Sequence, residues 1–256
     1  MNDHTDNLAC LTGQKNPDLV EIDGVSLHRC TLPDWRALQN SARAAGFELS
    51  AVSAYRSFSR QLKIWNDKAR GVRPVLDAHG EVLDVSAMSD DECLFSILRW
   101  SALPGASRHH WGTDVDVVDS ASMPAGYSVQ LTDAEVYNDG PFAALHDWLD
   151  SIINNDHSYG FYRPYAAKLD AGADRAQRLA EPSVGGPAHS APGDSFKVLG
   201  IAPERWHLSH RPSSRHFEAC LNCETFHAFY ARQSEMALQG AILDNFEAIY
   251  AGYIDV

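Results

Sequence analysis

Apolar residues recur at helical spacing near the start of the chain. In residues 31–45, Trp35, Leu38 and Ala42 lie three or four positions apart, with a proline in the first turn and a glycine directly after the stretch. This spacing places apolar side chains on one helical face, while proline suits a first turn and glycine a helix end. The pattern therefore predicts an amphipathic helix over residues 31–45.

Three further stretches show helical periodicity. Residues 59–70 end at a glycine, residues 89–92 have the Ser-x-x-Glu spacing of a capping box before an apolar run, and residues 141–153 begin with a proline. Each signal is typical of a helix boundary. We predict three more helices here, the second of which ends at the Pro-Gly pair of residues 104–105.

Strand-like patterns occupy other parts of the chain. Apolar and polar residues alternate over 47–51, and residues 115–118 form a run rich in valine. Both patterns favour strands. Because helices come first and strands cluster later in this interpretation, we predict an α+β domain with a central antiparallel sheet rather than a doubly wound fold.

The composition changes between residues 166 and 200, where Ala, Gly, Pro and Ser dominate and large apolar side chains are few. Such a segment is typical of a surface insertion or a mobile flap. Residues 213–253 again show helical patterns. We find no internal repeat.

Charge and size exclude several classes of protein. The chain has 256 residues, 45% of them hydrophobic, and 21 Lys and Arg against 34 Asp and Glu, for a formal net charge of −13. A chain of this length buries a core without crosslinks, and this composition is not that of a disordered protein. Nucleic-acid binding depends on clustered basic residues. We therefore expect one globular domain that does not bind nucleic acid.

Several features bear on the cellular compartment. No window of about 18 consecutive apolar residues is present, and the first ten residues lack the basic and apolar regions of a signal peptide. Five scattered cysteines favour a reducing compartment. We expect no membrane span and a cytoplasmic location for the chain as given, or a periplasmic one if a signal was removed.

Imidazole and carboxylate groups are concentrated in residues 107–116 and 204–207. A catalytic zinc takes three nitrogen or oxygen ligands and leaves a fourth position for water. His109, Asp116 and His207 are candidates for that set. Glu204, three residues before one ligand, is the candidate base that would take a proton from the water and return it to a leaving amine.

These residues carry a resemblance to a known family. The pattern Ser107-x-His109-x-x-Gly112-x-x-x-Asp116, followed by Glu204-x-Trp-His207, resembles the signature of the VanY-like D-alanyl-D-alanine carboxypeptidases. These are zinc peptidases related to lysostaphin and hedgehog folds. Residues 53–61 are similar to the family's substrate-binding segment, and residues 159–165 are similar to the stretch before its last motif.

The resemblance implies a role for each matching residue. His109, Asp116 and His207 match the ligands of one catalytic zinc ion, and Glu204 matches the catalytic base. Arg56 matches a catalytic and substrate-binding residue that holds either the polarised carbonyl or the C-terminal carboxylate, and a guanidinium suits both tasks. Three more residues match substrate contacts: Tyr55, Gln61 and Ser107.

The resemblance also implies a division of the chain. Residues 1–30 are expected to form an N-terminal extension, residues 31–212 a zinc carboxypeptidase domain with an insertion at about 166–200, and residues 213–256 a C-terminal helical segment. The insertion is longer than the connection usual in the family. It is expected to be either a lid over the cleft or a surface loop.

The implied reaction is removal of the C-terminal D-alanine from peptidoglycan stem peptides or muropeptides. With no export signal, the expected substrate is the tetrapeptide of cell-wall recycling, cleaved by L,D-carboxypeptidase action. The alternatives are D,D-carboxypeptidase or dipeptidase action on D-Ala-D-Ala termini, a peptidoglycan endopeptidase, and a binding module without catalysis. Retention of Glu204 argues against the last, because binding needs no base.

Two further features leave alternatives open. Asp114 stands where the family commonly has alanine, and it either lies near the metal or is solvated or paired with Arg108. His216, Cys220, Cys223 and His227 follow each other at steps of four, three and four. On one helix they would share a face, which is either half-buried or a second metal site.

Overall fold

A four-stranded antiparallel sheet forms the centre of the fold in the computed structural model, which describes residues 3–77, 80–165 and 200–255. Its strands are β3 (Leu49–Ser53), β4 (Asp114–Asp119), β5 (Phe161–Tyr162) and β6 (His207–His210), in the order β3-β4-β6-β5. A separate hairpin consists of β1 (Leu19–Ile22) and β2 (Val25–His28). The antiparallel sheet and the α+β class are confirmed.

Helices surround the sheet. Those in the described residues are α1 (Asp3–Leu11), α2 (Leu32–Ala44), α3 (Phe58–Ala69), α4 (Asp90–Leu98), α5 (Asp133–Val136), α6 (Ala143–Asn154), α7 (Arg211–Glu218), α8 (Cys223–Tyr230), α9 (Gln239–Asp244) and α10 (Phe246–Ile249). The four predicted helices correspond to α2, α3, α4 and α6. At α4 both bonds of the predicted capping box form between Ser89 and Glu92. The helical nature of the last forty residues is confirmed too.

The predicted order of elements was wrong. The β1–β2 hairpin precedes every helix except α1, and β3 lies between α2 and α3. Asp23 and Gly24 form the hairpin turn with φ angles of 50° and 83°. Two consecutive left-handed residues give a turn whose twist matches that of paired strands, and Asp-Gly is a favoured sequence for it.

Two apolar clusters flank the sheet region. The first packs α2 and α6 on the valines of β4 and includes Trp35, Leu38, Val115, Val117 and Leu149. The second joins α3 and α4 to the C-terminal helices and contains, among others, Trp65, Leu94, Ile97, Phe226, Tyr230 and Ile249. Because side chains alternate along a strand, the β4 valines in the first cluster leave Asp114 and Asp116 on the opposite face.

Residues before position 31 belong to the same packed body. Leu27 lies in the first cluster and Leu11 in the second, both buried. The predicted domain limits stay a prediction. The predicted insertion at 166–200 lies, except for Gly200, outside the described residues. Within the described residues, no helix is long and apolar enough to cross a membrane.

Candidate metal centre

The three predicted ligands come from two paired strands and a tight turn. Asp116 on β4 is directly opposite His207 on β6 in the antiparallel register. His109 lies in a single 3₁₀ turn, Arg108–Trp111, which ends at Gly112 with φ 70°. A Cβ at Gly112 would lie 2.8 Å from Leu19 and 3.0 Å from the amide of His28, so only glycine allows this close approach.

The donor atoms of these residues are close together. Asp116 Oδ2 is 3.3 Å from His109 Nε2, and Asp116 Oδ1 is 3.3 Å from His207 Nδ1. One donor atom from each residue fits within a 4.8 Å group. Ligand bonds of 2.0–2.2 Å in a tetrahedral site separate the donors by about 3.4 Å. The spacing therefore suits a small tetrahedral metal ion.

Hydrogen bonding supports the same interpretation. Asp116 Oδ1 and His207 Nδ1 are buried and have no hydrogen-bond partner among the described residues. His109 Nδ1 is 2.8 Å from the carbonyl of Ala54, which leaves its Nε2 facing the cluster. Buried polar atoms without partners are costly, and a metal ion would satisfy both of them.

Asp114 lies behind His207. Its Oδ1 is 2.9 Å from His207 Nε2 and accepts a 2.9 Å hydrogen bond from Arg108 Nε, while its other oxygen accepts one from Thr113. The expected pairing with Arg108 is confirmed, but Asp114 is 0% exposed and not solvated. A carboxylate on the far nitrogen of a histidine ligand fixes the ring's orientation and tautomer.

Arg108 extends this arrangement to three other elements. Its Nη2 donates to the Tyr162 hydroxyl at 2.9 Å, to Ser209 Oγ at 2.7 Å and to Glu218 Oε1 at 2.7 Å. Burial alone would raise the pKa of Asp114, but Arg108, followed by His207, holds that pKa well below its usual range. The charges of Asp114 and Arg108 behind His207 are thus buried, and each has partners among the described residues.

Glu204 lies on the other side of the His207 ring. Its Oε2 is 3.5 Å from His207 Nδ1, and its side chain is 16% exposed. The backbone amide of Glu204 donates to the carbonyl of Tyr165, whose ring centroid is 5.0 Å from that of His207. The predicted base therefore lies beside the ligand cluster. Sequence reasoning assigned Tyr165 no site role.

Arg56 and Gln61 are joined at the edge of the cluster. Arg56 Nη1 donates to Gln61 Oε1 at 2.9 Å, and Arg56 Nη2 donates to Ser53 Oγ at 3.3 Å. Burial lowers the pKa of Arg56, and the nearby Asp116 carboxylate opposes that effect. The Arg56 amide donates to the carbonyl of His109. The structure thus brings both residues to the predicted ligands.

The other two predicted substrate contacts differ from each other. Ser107 is buried directly before the His109 turn, and its carbonyl accepts a hydrogen bond from the amide of His110. The Tyr55 hydroxyl donates to the carbonyl of Gly13, 3.3 Å away in the N-terminal segment. This bond holds Tyr55 against a different part of the chain. The roles of all predicted site residues stay predictions.

The histidines beside the ligands have structural partners. His110 Nδ1 donates to the Arg56 carbonyl at 2.6 Å, and the Gly105 amide donates to its Nε2. Burial lowers the pKa of His110 to about 3, so its ring is neutral. His210 contacts Ser213 and Asp34. Both rings thus hold surrounding segments in place through hydrogen bonds.

The two tryptophans of the motifs, Trp111 and Trp206, pack within the protein. Trp111 stacks on Phe217 with ring centroids 5.4 Å apart, and its Nε1 donates to the carbonyl of Leu11. Trp206 is buried in a small cluster with Val118 and Phe142. Neither indole is free to stack on a ligand.

The single helix expected to carry His216, Cys220, Cys223 and His227 is not formed. α7 ends at Glu218 and α8 begins at Cys223, so the four residues lie on two helices and their connection. The Asn222 side chain caps α8 and begins a new helix there. Across the described residues, His109, Asp116 and His207 are the group that could hold a metal ion.

A family comparison agrees with these features. The family model of VanY, D-alanyl-D-alanine carboxypeptidase, matches residues 24–176. The chain belongs to the VanY family. This VanY-family chain is 39% identical over 98 residues to an uncharacterized protein of Haemophilus influenzae, a match covering 36% of the chain and 67% of that protein. A second uncharacterized protein of that organism is 45% identical over 47 residues, or 18% of the chain and 36% of that protein.

Solved structures similar to this VanY-family chain share little sequence with it. VanYB in complex with D-alanine-D-alanine is 18% identical with a TM-score of 0.47, covering 83% of this chain and 89% of that one. The LdcB LD-carboxypeptidase is 17% identical with a TM-score of 0.45, covering 93% and 80%. A VanY D,D-pentapeptidase variant solved with Zn(II) is 18% identical with a TM-score of 0.46, covering 83% and 90%.

Proposed function

We propose that this chain is a zinc-dependent carboxypeptidase that releases the C-terminal D-alanine from peptidoglycan stem peptides. The observation that carries the proposal is the buried cluster of His109, Asp116 and His207, with two unpartnered donor atoms and Glu204 Oε2 3.5 Å from His207. Membership of the VanY family supports the substrate class.

The donor set supports zinc as the metal. Two imidazole nitrogens and one carboxylate oxygen are ligands that zinc accepts in catalytic sites with an open fourth position. When bound, zinc polarises a carbonyl and lowers the pKa of water to about 7. His109 would bind through Nε2 and His207 through Nδ1, because their other ring nitrogens contact the Ala54 carbonyl and Asp114.

The chain's own residues supply the remaining chemistry. Glu204 accepts the proton of the attacking water at its carboxylate and passes it to the amine nitrogen as the peptide bond breaks. The Arg56 guanidinium offers a fixed positive charge to the negative charge that develops on the carbonyl oxygen. Gln61 and Ser53 hold that guanidinium in place through their hydrogen bonds.

Product analysis tests this proposal and separates its finer forms. Zinc-loaded protein is incubated separately with muropeptide tetrapeptide, pentapeptide and cross-linked peptides, and the products are identified by mass spectrometry. Loss of one alanine from the tetrapeptide indicates the L,D-carboxypeptidase expected from the sequence, and loss from the pentapeptide alone indicates D,D-carboxypeptidase action. Cleavage of cross-linked peptides alone would indicate an endopeptidase. No cleavage of any of them would contradict the proposal.

Replacing the base gives the sharpest mutational test. Glu204→Gln is expected to lower kcat by about 10²- to 10⁴-fold, because the proton acceptor is lost while the shape is kept. Zinc content, measured by elemental analysis, is expected to stay at the wild-type level. Glu21→Gln, at an exposed position of β1, is the matched control. A normal kcat in zinc-replete Glu204→Gln protein would remove Glu204 from the mechanism.

A further inference from the structure

Two cations flank Gln61 without a carboxylate of their own. Arg56 donates to Gln61 and Ser53, and Lys68 Nζ donates to Ser101 Oγ at 2.7 Å. Within the part of the chain that the structure describes, neither cation has a carboxylate oxygen within 4.0 Å. Both side chains belong to residues of intermediate exposure.

Three other sheltered cations of the fold have carboxylate partners. Arg108 lies 2.9 Å from Asp114, Arg163 lies 2.7 Å from Asp150, and Arg205 lies 2.6 Å from Asp147. A partly buried cation without a counter-ion is costly, and such charges in proteins are ordinarily paired. Arg56 and Lys68 depart from this pattern at the edge of the candidate metal centre. An anion bound from outside the described residues would supply the counter-ion that Arg56 and Lys68 lack.

Helix geometry brings Lys68 near Gln61. The two residues lie seven positions apart on α3, which is two turns, and therefore share a face. Helical side chains lean towards the helix N-terminus, so the long lysine reaches back towards Gln61. Gln61 Nε2 donates to the carbonyl of Ala102 at 2.7 Å, and Lys68 donates to the neighbouring residue, Ser101. Both side chains are thus anchored on the same short segment.

The two cations are connected to different parts of the site. Asp116, a predicted ligand, is the carboxylate that acts most strongly on Arg56, whereas Glu204 is the carboxylate that acts on Lys68. The backbone amide of Arg56 also donates to the carbonyl of His109, a predicted ligand, so Arg56 adjoins the site of the reacting carbonyl. Lys68 instead donates to Ser101, the residue before Ala102, whose carbonyl accepts from Gln61, so Lys68 lies on the Gln61 side of this pair of cations.

We propose that Lys68 binds the free C-terminal carboxylate of the substrate, while Arg56 faces the carbonyl that is attacked. The terminal carboxylate lies one residue beyond that carbonyl, and consecutive Cα atoms are about 3.8 Å apart. Two groups of the substrate thus meet two separate cations. Lys68 is then a specificity-determining residue that makes the site select chain ends. This assignment rests on the proposed carboxypeptidase function.

The test compares one stem peptide in two forms, with a free C-terminal carboxylate and with a C-terminal amide. Lys68→Met is expected to raise KM for the free acid by about 10- to 100-fold, the range of a lost hydrogen bond between charged groups. Its kcat is expected to stay within about threefold, and its kcat/KM for the amide to stay unchanged. Lys68→Arg keeps the charge and is expected to restore most of the affinity. Lys63→Met, an exposed lysine on the same helix, is the control.

A second measurement does not depend on turnover. Binding of both peptide forms is measured by calorimetry in the Glu204→Gln background, with and without Lys68→Met. The acid is expected to bind Glu204→Gln more tightly than the amide does, and Lys68→Met is expected to abolish that difference. If the difference persists, Lys68 does not bind the carboxylate. Equal losses for acid and amide would assign Lys68 a structural role only.

The proposed function and the role of Lys68 fail in distinguishable ways. A wild-type protein that removes D-alanine, combined with an unchanged acid-to-amide ratio in Lys68→Met, overturns the role of Lys68 alone. A zinc-replete wild-type protein that cleaves no stem peptide overturns both.

Discussion

The two sides of the ligand cluster differ in how their charges are balanced. Behind His207, Asp114 and Arg108 are buried and paired, and Glu218 completes the set. On the other side, Arg56 and Lys68 have only neutral partners among the described residues. The first arrangement is complete within the protein and holds a ligand ring in place. The second is complete only with an anion, which is what a binding surface for a carboxylate requires.

Stability provides the largest expected contrast between the two sides. Arg108→Met is expected to cost about 3–5 kcal/mol of unfolding free energy, because it leaves a buried carboxylate, Asp114, without its cation. Arg56→Met is expected to cost only about 1 kcal/mol, because it removes the hydrogen bonds to Gln61 and Ser53 but breaks no charge pair and removes a sheltered cation. Urea unfolding of both variants measures the difference. Equal losses would show that Arg56 is as structural as Arg108.

Metal affinity is expected to respond next. Asp114→Asn keeps the shape of the side chain but removes the negative charge behind His207. Loss of such an outer partner ordinarily weakens metal binding by about 10- to 100-fold. Competition with a chelator measures the zinc dissociation constant. Asp119→Asn, on the same strand but bonded to Glu48, Ala121 and Ser122, is the control. An unchanged constant in Asp114→Asn would mean that Asp114 does not support the ligand.

The smallest expected effect is a dependence of kcat/KM on pH. Burial lowers the pKa of Lys68 to about 8, with Arg73 and Arg56 also lowering it and Glu204 raising it. Lys68 is charged below that pH and becomes neutral above it. The kcat/KM for a free-acid peptide is therefore expected to fall a few-fold above pH 8 relative to that for the amide, since kcat/KM reports groups of the free enzyme. Identical profiles for acid and amide would contradict a role for Lys68 in carboxylate binding.

Local signals in the sequence correctly predicted four helices and the helical character of the C-terminal segment. The capping box at Ser89 and the apolar stripe of α2 depend on neighbouring residues only, so their physics is present in a short window. The hairpin of β1 and β2 was missed although Asp23-Gly24 is a strong turn signal, because its strands have four residues each. β5 and β6 have two and four residues, too few for a periodicity to show.

In the candidate site, too, some features were predictable from the sequence and others were not. The spacing of motifs predicted which residues would meet, and the structure brings His109, Asp116, His207 and Glu204 together. Contacts over long sequence separations were not predictable, such as Arg108 with Glu218 or Lys68 with Ser101. The spacing of Gln61 and Lys68, seven residues apart on a predicted helix, was the available signal for the latter. Only the folded chain shows which segment those two side chains meet.

The pairing of Asp116 with His207 has a consequence for folding. These residues are separated by about ninety residues of chain, yet they face each other across two adjacent strands. A metal ion bound to both residues would crosslink the two ends of the intervening chain. Such a crosslink reduces the conformational entropy that is lost when those ends come together. Release of the ion and separation of β4 from β6 would then be one coupled event, so the lifetime of the bound metal would depend on how often the sheet opens.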